Sequence, residues 1–441
     1  MFPVGRNTKA MTMLETLKAF FSFSDPSIVS VTLGAVLLSA SSAVVGTFTF
    51  LKKKALVGDA VAHAVLPGIC LAFLLAGNKN PLFLLLGAFI TGWISLVLID
   101  WITARSKIKE DTAIALILSV FFGIGILLLT RIQHMGNAAQ TGLQSFLFGK
   151  AAALVGQDLL IFGIVAVLLL CTVALFFKEL KLIAFDEAFA QATGLPVRGL
   201  NLLLTTLTVL AVVTGIQAVG VVLMAAMLIT PAAAARFWTD SVLRMTFIAA
   251  FMGAFAGLAG AFVSYAAPSM PTGPWIVMII SIIALFSFFF APQRGILYRQ
   301  YQQRKLQRQI MEENVLKELY HLGEKDKGAH KGRTIDDLIK ERYFPEKQLR
   351  TALLRLRQKG WVERQNGHWK FTEAGQQKGR RVVKLHRLWE AYLSTYLKIA
   401  PDHVHEDAET IEHIITPELE AELEHMLDFP ERDPHQSKIP Y

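Results

Sequence analysis

Apolar runs of about twenty residues recur along the chain as far as Phe290 and then stop. A helix rising about 1.5 Å per residue needs roughly 20 apolar residues to cross a hydrocarbon core about 30 Å thick, so each run reads as a membrane span. The runs are 28–50, 59–77, 82–103, 112–130, 154–177, 198–215, 218–235, 245–267 and 274–291. That gives about nine spans, or eight if the pair flanking residues 215–220 is one long or broken helix. From Gln293 onward the chain is polar and rich in Lys, Arg, Glu and His, which marks a soluble module. With 53% hydrophobic and only 18% charged residues, the 441-residue chain is a mainly α, polytopic membrane protein rather than a soluble domain.

The net charge of +9 follows from topology more than from a nucleic-acid surface, because cytoplasmic loops carry the Lys/Arg excess. Lys52, Lys53 and Lys54, then Arg105, Lys107 and Lys109, then Lys178, Lys181 and Arg198, then Arg236 and Arg244, and finally Arg294 and Arg299 share one side if there are nine spans. The other side holds little beyond Lys79, Arg131 and Lys150. The N-terminus is therefore expected outside and the polar tail in the cytoplasm. No cleavable signal peptide is evident in residues 1–24, so the first span is expected to direct insertion. Cys70 and Cys171 both lie in apolar runs, which speaks against a disulfide framework or a CxxC metal site.

One run contains charge. In Gly58-Asp59-Ala60-Val61-Ala62-His63 an acid and an imidazole stand at i and i+4, on one helix face, where they can offer an oxygen and a nitrogen to one divalent cation. Intramembrane Asp and His are expensive and mark ion paths. Pro67, four residues after His63, frees a carbonyl beside that pair. Asp59 lies five residues past Lys54, near the charged end of its span. The small residues of 253–260 read as a helix-packing face. Residues 184–196 open with Asp186 and Glu187 and end with Gly194 and Pro196, the pattern of a short helix in a basic-side loop.

In the tail, 298–309 reads as a helical extension of the last span and 311–322 as an amphipathic helix with Val315, Leu316, Leu319 and Tyr320 on one face. Thr334 caps a second helix with Asp337 at its third position, and Pro345 opens a third that runs through Leu356 to a stop at Gly360. Two alternating segments around Gln365-Asn366-Gly367 then form a hairpin. This is the order of a winged helix-turn-helix, with Lys347, Arg350, Arg355 and Arg357 on the would-be recognition helix. Beyond it His386 and Glu390 stand at i and i+4, and His405, Glu409, Glu412 and His413 at 0, +4, +7 and +8 on the next helix. Two such stripes supply carboxylate and imidazole ligands suited to Mn, Fe or Zn.

Residues 54–68, Phe146-Leu147-Phe148-Gly149 and the run 219–235 resemble the zinc, manganese and iron permease family of ATP-binding-cassette importers over about 25–292. The resemblance implies a membrane permease domain that pairs with a second protomer, either a second copy or a related paralogue, in the cell (inner) membrane. Its implied partners are an extracytoplasmic metal-binding protein and a cytoplasmic ATPase subunit. Asp59 and His63 would be the pathway ligands, and the loop with Asp186, Glu187 and Gly194 the helix that couples to the ATPase. Residues about 311–441 resemble regulators related to the diphtheria toxin repressor. There 311–376 would be the winged helix and 377–441 a helical metal-binding and dimerisation-like domain, joined to the spans by a helical linker at 293–310. By that likeness His386, Glu390 and His405 form one regulatory metal site and Glu409, Glu412 and His413 contribute to another. Where the family usually places Asp or Met on its first helix, this chain has Asn314.

No GxxxxGK[ST] occurs, in keeping with ATP hydrolysis on a separate chain and a non-enzymatic subunit, and no HExxH supports a metalloprotease. The expectation is an importer of a transition-metal dication with a cytoplasmic metal-responsive domain. A membrane-anchored, metal-dependent DNA-binding regulator is the rival, and nine spans are more than an anchor needs.

Overall fold

The computed structural model describes residues 13–77, 80–134, 156–267, 270–292, 294–326, 331–398 and 415–441. The chain divides into two compact units, Met1–Tyr298 and Arg299–Tyr441.

The first unit is helical. After a short α1 (Met13–Phe21) comes α2 (Pro26–Leu51), whose N-cap Asp25 accepts a hydrogen bond from the Ser27 amide. There follow α3 (Val57–Ala64), α4 (Leu66–Ala76), α5 (Pro81–Arg105), α6 (Glu110–Gln133) and α7 (Gly156–Leu175). Two short helices, α8 (Phe177–Phe185) and α9 (Glu187–Ala192), lead to α10 (Val197–Val219), α11 (Val221–Arg236), α12 (Val242–Ala266) and α13 (Thr272–Phe290). Among the described residues eight segments are long and apolar enough to cross a membrane, α3 and α4 together making one of them. The run expected at 218–235 is α11, at 16 residues about 24 Å long. It is separated from α10 by Gly220 alone, whose φ of 96° is open to a residue without Cβ.

Helix α2 is the hub, packing against α12, α11, α10 and α7. Glycines on α12 permit its close approach: a Cβ on Gly253 or Gly257 would come within 2.6 or 2.7 Å of the α2 carbonyls of Ser39 and Ala35. The 253–260 stripe is therefore a packing face. One end of the unit is tied by charge. Lys52 pairs with Glu187 and donates to Asn201, while Lys54 lies 2.8 Å from Asp100 and 3.8 Å from Glu110. At the same end Ala232 and Ala235 of α11 cluster with Phe50 and Leu51, and Asp240 pairs with Arg236 and Arg294. The basic segments read along the chain thus meet at one end of the helical unit.

The second unit begins on α14 (Ile296–Lys325), one helix that contains both the stretch 298–309 and the amphipathic 311–322. It starts afresh at Ile296 rather than continuing α13, which ends at Phe290. Then come α15 (Ile335–Glu341), α16 (Glu346–Gln358), β1 (Val362–Gln365), β2 (His368–Phe371), α17 (Glu373–Tyr396) and α18 (Pro417–Met426). Thr334 and Asp337 form the expected capping box. The strands pair antiparallel from Val362 with Phe371 to Gln365 with His368. Asn366 and Gly367 turn the hairpin at φ 49° and 85°, the two positive values a type I′ turn requires. Val315, Leu316, Leu319, Leu338, Leu349, Leu353, Leu356, Val362, Trp369 and Phe371 close the core of a winged helix.

Candidate metal sites

Six of the eight residues of α3 are buried, and the two that are not are Asp59 and His63. The helix therefore exposes one stripe only, and that stripe carries both its polar side chains. His63 Nε2 lies 3.5 Å from Asp59 Oδ1, with side chains 23% and 43% exposed. The ring stands edge-on to Phe122 of α6 at 5.1 Å, which fixes its plane, and Nδ1 is buried without a hydrogen-bond partner. Sequence reading missed Phe122, since nothing in its run distinguishes it from neighbouring aromatics.

The local chain explains the pose. Leu66 and Pro67 open α4, and proline has no N–H to give the His63 carbonyl, so the span breaks at Val65 into two helices. Asp59 stands about 3 Å along the axis from the start of α3 and His63 about 9 Å, both toward the lysine-rich end. Together they present one oxygen and one nitrogen on the open stripe, whereas a divalent transition-metal ion takes four or more ligands.

At the charged end, Asp186 Oδ1 caps α9 by accepting from the Phe189 amide at 2.8 Å, and Gly194 closes it at φ 85°. The ammonium of Lys52, donating to Glu187, holds that carboxyl below the usual range against the opposing effect of burial. Phe185 at the end of α8 and Phe189 on α9 project from this loop 61% and 55% exposed. Lys52, which joins α9 and α10 to the turn that enters α3, reads in sequence as one of three loop lysines.

In the tail, His386 and Glu390 share one face of α17, with Nε2 3.0 Å from Oε1 and side chains 3% exposed. His405, Glu409, Glu412 and His413 lie outside the described residues, as does the motif 146–149. Among the described residues no group of three or more His, Cys, Asp or Glu side chains converges on a metal position. Instead Lys317 of α14, 2% exposed, places its Nζ 3.4 Å from His386 Nδ1. A divalent cation does not fit this pair as built, because it would sit against a buried ammonium. Lys317 is one turn past Asn314, so both fall on the same face of α14. That spacing was the sequence signal for it, obscured because a lysine in an amphipathic helix reads as solvated. Asn314 Oδ1 is itself buried without a hydrogen-bond partner.

On α16, Lys347, Arg350 and Arg357 are exposed and Arg355 half-buried, and Arg350 is held by Glu346 at 2.6 Å. Arg387 is buried against Glu324 and Asp433, at 2.7 and 3.5 Å. Burial works to raise the Glu324 pKa, but the hydrogen bonds and charges of His321 and Arg387 outweigh it and hold the carboxyl at about 2.

The ABC 3 transport family matches residues 24–291, and the iron dependent repressor metal binding and dimerisation domain matches 372–441. The manganese transport system membrane protein of Bacillus subtilis is 46% identical over 369 residues, 83% of this chain and 84% of that protein. The zinc transport system membrane protein of Treponema pallidum is 43% identical over 64% of this chain and 95% of its own length. The solved structure of PsaBC from Streptococcus pneumoniae in complex with Fab superposes with a TM-score of 0.57 at 34% identity, over 64% of this chain and 99% of that one.

Proposed function

Because this chain belongs to the ABC 3 transport family, we propose that it is the membrane-spanning permease subunit of an ATP-driven importer whose ion rests in transit on Asp59 and His63. The observation that carries this is the single open stripe of α3, otherwise buried on every side, bearing one carboxylate and one imidazole. Two ligands per chain suit an ion that must leave again, since a complete four-ligand cage would retain it. A second protomer facing that stripe completes the coordination, as a second copy or a related paralogue. Manganese is the favoured ion, on the similarity to the Bacillus subtilis protein over most of this chain, with zinc and ferrous iron the alternatives.

The end that gathers Lys52, Lys54, Arg236 and Arg294 is the cytoplasmic one by the positive-inside rule, which puts the polar tail in the cytoplasm. There α9, with Asp186, Glu187 and Gly194 shaping it and Phe185 and Phe189 exposed, docks on a separate ATPase chain. Lys52 carries its displacement to the turn before α3. An extracytoplasmic metal-binding protein delivers the ion at the other end. The tail regulates transport in response to metal through the ligand-type residues Glu409, Glu412 and His413 with Asn314. Winged-helix binding to DNA is the second reading, and the Arg350–Glu346 pair works against it.

The test is elemental analysis of metal-limited cells with and without the chain. Accumulation of one dication restored by the unsubstituted chain and not by Asp59→Ala supports the reading. Full restoration by Asp59→Ala at normal membrane abundance overturns it.

A further inference from the structure

Lys317, His386 and Glu390 are each only 2% exposed, three ionisable side chains sealed into the tail. A buried ammonium is destabilising unless acceptors receive its protons, and a buried carboxylate unless a cation or donors face it. Here the ring is an acceptor for the ammonium, Nδ1 lying 3.4 Å from Nζ, and the other ring nitrogen lies 3.0 Å from Glu390. An ammonium has no lone pair, so Nδ1 accepts. In the neutral imidazole Nε2 then carries the proton and donates it to Oε1 of Glu390. The order is cation, imidazole, carboxylate, with both ring nitrogens committed. His435 Nε2 lies 3.9 Å from the same Glu390 oxygen.

We propose that the Lys317 ammonium is the permanent cation of the His386–Glu390 pair, standing where a divalent ion would otherwise sit, so that this half of the tail assembles without metal. A metal on Nε2 would need that proton removed and would bring a doubly charged ion against a fixed, desolvated positive charge, where repulsion is far stronger than in water. Metal response is thereby confined to the other ligand-type residues of the tail. The proposal rests on the regulatory reading of the tail only in taking the domain to bind metal elsewhere, and it is independent of transport.

The test uses the full-length chain in detergent, with Asp59→Ala and His63→Ala in every sample so that pathway ions are not counted. Manganese bound per chain is measured by equilibrium dialysis and elemental analysis, with limited proteolysis reporting whether the tail is folded. His386→Gln is expected to bind as much manganese as its parent. Lys317→Glu, which exchanges the cation for a carboxylate ligand, is expected to gain about one ion per chain, lost again on adding His386→Gln. Loss of an ion from His386→Gln with Lys317 intact overturns the proposal, as does a folded Lys317→Glu that gains none. Should Lys317→Glu not fold, hydrogen exchange on the chain with Lys317 intact decides. Protection of residues 383–393 in α17 is unchanged by chelator if the ammonium is the cation, and its collapse on chelation overturns the idea.

Discussion

Two of the chain's acid–imidazole pairs at i and i+4, those on α3 and α17, sit in surroundings that differ in every respect that matters. On α3 the side chains are 23% and 43% exposed and 3.5 Å apart, with a buried ring nitrogen that has no hydrogen-bond partner. On α17 they are 3% exposed and 3.0 Å apart, with Lys317 on the far side of the ring. Equal spacing thus supports opposite roles. An open, under-satisfied pair can take an ion and release it, whereas a sealed pair with its own cation is part of the fold.

The largest effect that should separate the two is on stability. Lys317→Met removes the ammonium beside the buried His386–Glu390 pair, and the tail should lose about 3–5 kcal/mol, read by denaturant unfolding of the full chain followed through tail proteolysis. An unchanged midpoint would erase the contrast. A smaller effect is expected at the charged end of the helical unit. Lys52→Ala should reduce manganese carried per ATP hydrolysed by about fivefold or more, as typical coupling energies allow, with transporter abundance in the membrane measured alongside because the Lys52 side chain is buried.

Acid should expose a further difference. Glu324 titrates at about 2 against an ordinary value of 4.5, so its folded pKa lies below the unfolded one. Its contribution is present above pH 4.5 and lost as pH falls toward about 2, and Glu324→Gln should flatten tail stability across that window. The smallest expected effect sharpens the comparison most: Asp59→Ala should alter stability by no more than about 0.5 kcal/mol, as a substitution on an open stripe, while metal uptake is expected to fall steeply.

Much of this architecture was legible in sequence because it rests on local chemistry. Apolar length marks the spans, Asn366-Gly367 the hairpin, Thr334 and Asp337 the cap, and Pro67 the break after His63. The run 218–235 stayed open between two readings because α11 is short and a single glycine separates it from α10. The stretch 298–309 reads as helix but gives no sign of joining 311–322 rather than the last span, because the join carries no breaker. What sequence could not supply was pairing across distance. Lys52 with Glu187 and Lys317 with His386 are separated by 135 and 69 residues, and each lysine alone reads as solvated. His386 and Glu390 read as ligands from their spacing, and the lysine beside them shows only in the fold.

The central claim is that the pair on α3 handles the ion and the pair on α17 does not. The most direct measurement is the initial rate of manganese uptake, driven by ATP, in vesicles holding the assembled transporter at low internal metal. His63→Ala should abolish uptake at normal abundance while His386→Gln transports like the parent. Uptake by His63→Ala at the parental rate would contradict the account.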